Sequence, residues 1–209
     1  MAGTVTALKF QKKNQDRVSV YLDGRFAFGL PGIVAARLKR GQSLTEDEIE
    51  ALKTEGAVET EYHRALNYLS YRPRSQSEVT RYLRRRGVSD NAIAAIVDRL
   101  ERAGLVDDEE FARFWLENRE RFRPRGLHAL RYELREKGID DKIIDRVLSA
   151  FDASASAYRA AAKKAQRLRH LDRMAFRRKL TAHLARRGFA YDVVREVVDR
   201  HWNELTGGE

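Results

Sequence analysis

Three glycines, Gly87, Gly138 and Gly188, stand 51 and 50 residues apart and share their surroundings. Around the first, the apolar positions are Val79, Leu83, Val88, Ile93, Ile96, Val97 and Leu100. They correspond without a gap to Leu130, Leu134, Ile139, Ile144, Val147, Leu148 and Phe151, and then to Leu180, Leu184, Phe189, Val194, Val197, Val198 and His201. Only the last place of the third copy loses its apolar character. The spacing on both sides of each glycine is helical, so each reads as the left-handed end of one short amphipathic helix before the next begins. A fixed period with a matched apolar code marks one supersecondary unit that has been duplicated and stacked.

The unit is larger than a helix pair. Tyr62, Ala65, Leu66 and Leu69 form one face of a helix over 61–71, ahead of Pro73, and Phe111, Phe114 and Trp115 begin a second such helix ahead of Pro124. A residue before proline is pushed out of the helical region, so both helices end there. The third copy opens with an alanine-rich helix over 153–171, followed by helices over 175–187 and 191–203. Start signals fit the same frame. Ser75 with Glu78 makes a capping box, Ser89 or Asp90 caps the next helix, and Asp107 or Asp108 begins the second copy.

Residues 4–29 differ from everything after them. Val18, Val20 and Leu22 alternate with Ser19 and Tyr21, and Asp23-Gly24 is a hairpin signal. The expectation is a three-stranded β-meander, then helices over 32–39 and 46–55, the latter opened by a Thr45–Glu48 capping box. The fold class is therefore mainly α: three tandem helix-turn-helix-like three-helix repeats in an elongated curved array behind a small β domain. The expected boundaries are 1–56, 57–104, 105–151 and 152–209.

Cysteine is absent, which excludes disulfides and thiolate metal sites. No apolar run is long enough to span a bilayer and no secretory h-region opens the chain, so a cytoplasmic, monomeric protein is the expectation. The net charge of +10 favours an anionic partner. Its distribution says more: residues 152–188 carry eleven Lys or Arg against two Asp, whereas 105–151 carry ten basic and eleven acidic residues. The copies share a core and differ in surface.

Several stretches carry a family resemblance. Residues 65–75 (ALNYLSYRPRS), Glu78 and residues 82–87 (YLRRRG) are similar to the first repeat of the RecX regulatory proteins. Residues 104–112 (GLVDDEEFA), Arg125-Gly126 and residues 133–139 (ELREKGI) resemble that family's second repeat, while the third copy matches more loosely. The resemblance implies a modulator of the RecA recombinase. Such a protein binds the groove of the RecA–single-stranded-DNA filament and inhibits ATP turnover, strand exchange and co-protease activity, which modulates DNA repair and the SOS response. The partners implied are the RecA filament and single-stranded, or else double-stranded, DNA. An independent helix-turn-helix DNA-binding module is the alternative.

Candidate contacts are cationic. Arg84, Arg85 and Arg86 end a helix, with Arg186 and Arg187 at the same place in the third copy; such cations also complement the helix dipole. Arg72 and Arg74 flank Pro73, and Arg121, Arg123 and Arg125 surround Pro124, at corners expected to be exposed. The strongest patch is Lys163, Lys164, Arg167, Arg169, Arg173, Arg177, Arg178 and Lys179, which two facing helices could present to phosphates or to an acidic protein groove. Phe176 alone falls within that run, and this scarcity of interleaved aromatics argues against a base-stacking platform. Phe111, Phe114, Trp115, Tyr158 and Trp202 read as core. The histidines at 63, 128, 170, 183 and 201 lack ligand spacing, and residues 107–110 (DDEE) read as a helix N-terminus rather than a cation site. No phosphate loop, nucleophile elbow or catalytic dyad is present, so neither an enzyme nor a cofactor is expected.

Overall fold

The computed structural model of the chain describes residues 2–12 and 14–207. Its contacts divide into two units, one of Met1–Arg72 with Val79–Ala103 and one of Pro73–Glu78 with Gly104–Glu209.

The first unit opens with a sheet of β1 (Gly3–Gln11), β2 (Asn14–Leu22), β3 (Arg25–Pro31) and β4 (Ser43–Leu44), in the order β3-β2-β1-β4. The meander is therefore four-stranded, because β4 returns to pair Leu44 with Gly3. Asp23 and Gly24 both have positive φ, 48° and 83°, as a two-residue hairpin turn demands. Alternation along β2 buries Val18 and Val20 beside Val5, Phe28 and Leu30. The helix expected over 32–39 is only the four-residue α1 (Gly32–Ala35).

The helices expected on either side of Gly56 are in fact one, the 25-residue α2 (Glu46–Ser70), whose Thr45–Glu48 capping box is present. Gly56 does not break it; a Cβ there would lie 2.7 Å from Leu30 Cδ2 and 3.3 Å from Pro31 Cδ. The missing side chain lets the helix lie against β3. The distal half of α2 buries Tyr62 and Ala65, and α3 (Gln76–Arg85) and α4 (Asp90–Arg102) complete the first repeat. Buried Glu59 holds Arg99 at 2.6 Å, and the Arg99 guanidinium also lies 3.6 Å from the Tyr62 ring.

The second unit holds α5 (Asp108–Phe122), α6 (Leu127–Glu136) and α7 (Asp141–Leu148), then α8 (Ala153–Leu168), α9 (Arg173–Ala185) and α10 (Tyr191–Thr206). Asp107, Asp140, Asp152 and Asp172 cap α5, α7, α8 and α9 by accepting backbone N–H bonds, and Ser89 does the same for α4. The apolar code is buried as its register requires, apart from Val88 and Phe151, which are half-buried. His201 keeps the core place despite its polarity. It is 6% exposed, stacks on Tyr158 at 4.2 Å, and sets Nε2 3.2 Å from the Tyr158 carbonyl.

Each repeat glycine closes a Schellman turn. Gly87, Gly138 and Gly188 have φ of 78°, 78° and 82°. Their N–H groups donate to the carbonyls of Arg84, Arg135 and Ala185 at 3.0, 2.8 and 2.9 Å, while the next residue donates back to Leu83, Leu134 and Leu184 at 3.3, 3.1 and 3.4 Å. That bond brings two apolar positions of the code together (Leu83 with Val88, Leu134 with Ile139, Leu184 with Phe189), as the motif requires. Two of the turns are also docking points within the second unit. Ser75 Oγ donates to the Lys137 carbonyl at 2.7 Å and Gly126 N–H to the Arg187 carbonyl at 2.9 Å. In both cases the corner before a second helix occupies the carbonyl just ahead of the glycine one repeat later.

A Cβ on Gly126 would fall onto the backbone of Gly188 and Phe189. Gly126→Ala is expected to destabilise the second unit by about 1–3 kcal/mol through this overlap. Urea unfolding should show it, and with φ at −77° Gly126 adds no left-handed strain to the overlap.

Candidate nucleic-acid interface

The repeat turns settle the position of many candidate cations. Arg84 pairs with Asp90 at 2.9 Å, Arg86 with Glu61 at 2.7 Å, Arg135 with Asp141 at 2.7 Å, and Lys137 with Glu78 at 2.8 Å. Hydrogen bonding to Glu61 holds the Arg86 guanidinium above its ordinary pKa. Arg85 is exposed. The corners are less open than expected. Arg72, Arg74 and Arg125 are half-buried, whereas Arg121 and Arg123 are exposed. Arg125 lies 3.6 Å from Glu133, a carboxylate that also accepts from Trp115 at 2.9 Å and Arg119 at 2.6 Å. These contacts tie Arg125 to the second repeat's own packing.

In the third repeat the cations meet fewer acids. Helix α8 buries Ser156, Ala157, Ala160, Ala161, Ala165 and Leu168, so Arg159, Lys163 and Arg167, spaced four apart, share another stripe with Lys164 beside it. This stripe forms one wall of a cleft of about 520 Å³; the end of α5 with Pro124 and the end of α9 form the others. Arg121, Phe122, Lys163, Lys164, Arg167 and Arg187 line it. Glu120, the one carboxylate in the lining, is occupied by Arg159 and by Ser156 Oγ at 2.5 Å. Among the described residues, Lys163, Lys164 and Arg167 meet no carboxylate at ion-pair distance. Like charges four apart on a helix cost about 0.2–0.5 kcal/mol per pair, so folding alone gives no reason for the stripe.

Two titrating groups register the excess positive charge. Burial, then Arg125 and Arg123, lowers the Arg187 pKa, although its guanidinium donates to the Pro124 carbonyl at 3.1 Å. Burial, then Arg187, holds His183 below the ordinary imidazole value, with Lys164 and Arg186 adding to the effect against a bond to the Ala160 carbonyl.

The cleft thus gathers Arg121, Lys163, Lys164, Arg167 and Arg187 from two helices and a turn. It does not include Arg169, Arg173, Arg178, Lys179 or Arg186, which are exposed elsewhere, or Arg177, which sits 3.5 Å from Asp199. Of the patch expected on two facing helices, the cleft holds only the α8 members Lys163, Lys164 and Arg167, and none of the α9 cations Arg173, Arg177, Arg178 and Lys179. Sequence reasoning gives neither Phe122 nor His183 a place in the site, since only the fold brings them to the basic stripe. Among the described residues no group of acids and histidines could hold a metal ion, and no helix is long and apolar enough to cross a membrane.

Comparison with known proteins assigns these elements. Residues 62–100, 107–148 and 152–198 match the first, second and third three-helix domains of RecX, and residues 3–45 match the Regulatory protein RecX N-terminal domain. A Regulatory protein RecX of Bacillus licheniformis is 34% identical over 195 residues, covering 91% of this chain and 74% of that protein. The chain belongs to the RecX family. Its relative from Prosthecochloris aestuarii is 40% identical over 137 residues, covering 66% of this chain and 90% of that one. A crystal structure of regulatory protein RecX superposes with a TM-score of 0.79 at 28% identity, covering 94% of this chain and 99% of that one. RecX from Lactobacillus salivarius gives 0.63 at 26% identity, covering 69% and 96%. The mainly helical fold of three three-helix domains with an N-terminal sheet is therefore that of the family, and the relatives are named as regulators rather than as enzymes.

Lys164→Glu exchanges a repelling cation for an anion near His183. The His183 ring should titrate below 6.5 in the native chain and at higher pH in the variant, as followed by the histidine NMR resonances.

Proposed function

We propose that this RecX-family chain is a non-enzymatic regulator of the RecA recombinase. It binds the RecA–single-stranded-DNA filament and restrains ATP turnover, strand exchange and co-protease activity, and so modulates DNA repair and the SOS response in the bacterial cytoplasm. Family membership supplies the regulatory role. The observation that carries the binding is the cleft of the third repeat, where Lys163, Lys164 and Arg167 stand without carboxylates while several cations at the turns of the other repeats are paired. A nucleoprotein filament offers the anionic surface that such a cleft needs.

The alternative of independent duplex reading meets an electrostatic objection. A helix-turn-helix enters the major groove with the N-terminal residues of its second helix. Here the corresponding helices α4, α7 and α10 carry Asp90, Asp141 and Asp192 in their first turns, which would face phosphates.

Added substoichiometrically to RecA on single-stranded DNA, the chain should slow ATP hydrolysis. The double variant Lys163→Glu, Lys164→Glu should need several-fold more protein for the same effect, and a rise in salt should weaken the wild type more than the variant. Absence of any effect at equimolar protein would overturn the reading.

A further inference from the structure

Phe122 is the feature of the cleft that neither packing nor charge explains. It is the last residue of α5, 69% exposed, with the Arg121 guanidinium 5.2 Å over its ring. Single exposed apolar residues are common and need no explanation. This one has two further properties. It stands at the cleft containing Lys163, Lys164, Arg167 and Arg187. It also has a counterpart: Tyr71, 51 residues earlier, is 84% exposed, and both rings precede the same Arg-Pro-Arg corner. A residue needed for the repeat's core would be buried in at least one copy. The third copy has Asp172 at that register, so the aromatic is not demanded by the turn.

We infer that the cleft takes a single-stranded nucleic acid, with one base stacked on Phe122 and the neighbouring phosphates held by Lys163, Lys164, Arg167 and Arg187. This deepens the reading of the cleft as the filament-facing surface and rests on it. An acidic protein groove would satisfy the cations but offers nothing regular to lie on the ring. A duplex supplies phosphates, yet its bases are stacked inside and reach a ring only after unstacking. A single strand supplies both, since every base has a flat π-face and every linkage an anion. Lys163 and Arg167, one turn apart, can address separate phosphates, and Pro124 stiffens the chain just beyond the ring. Phe176, within the basic run, is buried in the core, and the ring available to a base comes instead from the preceding repeat across the cleft.

The test uses the full chain without RecA and fluorescence anisotropy on three labelled probes of equal length: an oligothymidylate, an abasic phosphodiester strand and a duplex. The wild type should bind the oligothymidylate most tightly. Phe122→Ala should weaken that binding about 5- to 150-fold, the range expected for loss of one base–aromatic stack. It should leave the abasic affinity and the salt dependence unchanged, and Phe122→Tyr should restore binding. Equal wild-type affinity for thymidylate and abasic strands would overturn the inference. So would an unchanged thymidylate affinity in Phe122→Ala, or an equal loss on the abasic probe. If the wild type binds no oligonucleotide yet slows RecA turnover through Lys163 and Lys164, the cleft faces protein; this inference then fails and the regulatory reading stands. Normal oligonucleotide binding without any effect on RecA removes the regulatory reading alone.

Discussion

A helix that ends inside a packed repeat leaves carbonyls with no partner of their own, and burying them unbonded is costly. The glycine turns meet this demand in two steps. The left-handed residue lets the following N–H groups return to the last turn, which joins the code's second and third apolar positions across the bend. The carbonyl just ahead of the glycine then accepts from the corner one repeat before, from Ser75 Oγ to Lys137 and from Gly126 N–H to Arg187. The spacing of near fifty residues is thus also the spacing of a hydrogen-bonded joint. Side chains reinforce it, Lys137 through Glu78 and Arg187 through the Pro124 carbonyl.

These joints constrain the surface as well. A cation just ahead of the turn is useful for packing in every copy, and where an acid stands nearby the charge is consumed: Arg86 by Glu61, Arg135 by Asp141, Lys137 by Glu78. The third copy keeps the core but carries only Asp152 and Asp172 as acids between residues 152 and 188. Its first helix is alanine-rich on the buried side, which holds it close to α9 and α10 and leaves the long basic side chains to line a cleft. Function can diverge in this way without disturbing the fold, because the code that packs the repeat and the charges that cover it occupy different faces of the same helices.

Elements whose signals lie within a few residues are legible in the amino-acid order: the capping box at Thr45, the cap at Asp107 or its neighbour, the helix ends ahead of Pro73 and Pro124, and the repeat glycines. The misreadings have local causes too. Gly56 resembles a helix end when its packing against Leu30 is unknown, and β4 is too short to announce itself. Arg72, Arg74 and Arg125 look exposed because proline corners usually are. His201 looks like a lost core position; stacking on Tyr158 and a backbone carbonyl within reach of its ring keep it buried.

The sequence by itself was enough to establish a triplicated helical unit, its turns and the basic bias of its last copy. Apolar periodicity, capping and the left-handed backbone of glycine are all satisfied between residues at most a few positions apart. It could not establish which cations remain unpaired or which aromatic stands among them. Arg121 and Phe122 reach Lys163, Lys164 and Arg167 across some forty residues of chain, through the joint at Gly126 and Gly188. Charge and burial are properties of what surrounds a side chain in space, and only the packing of α5, α8 and α9 defines that surrounding.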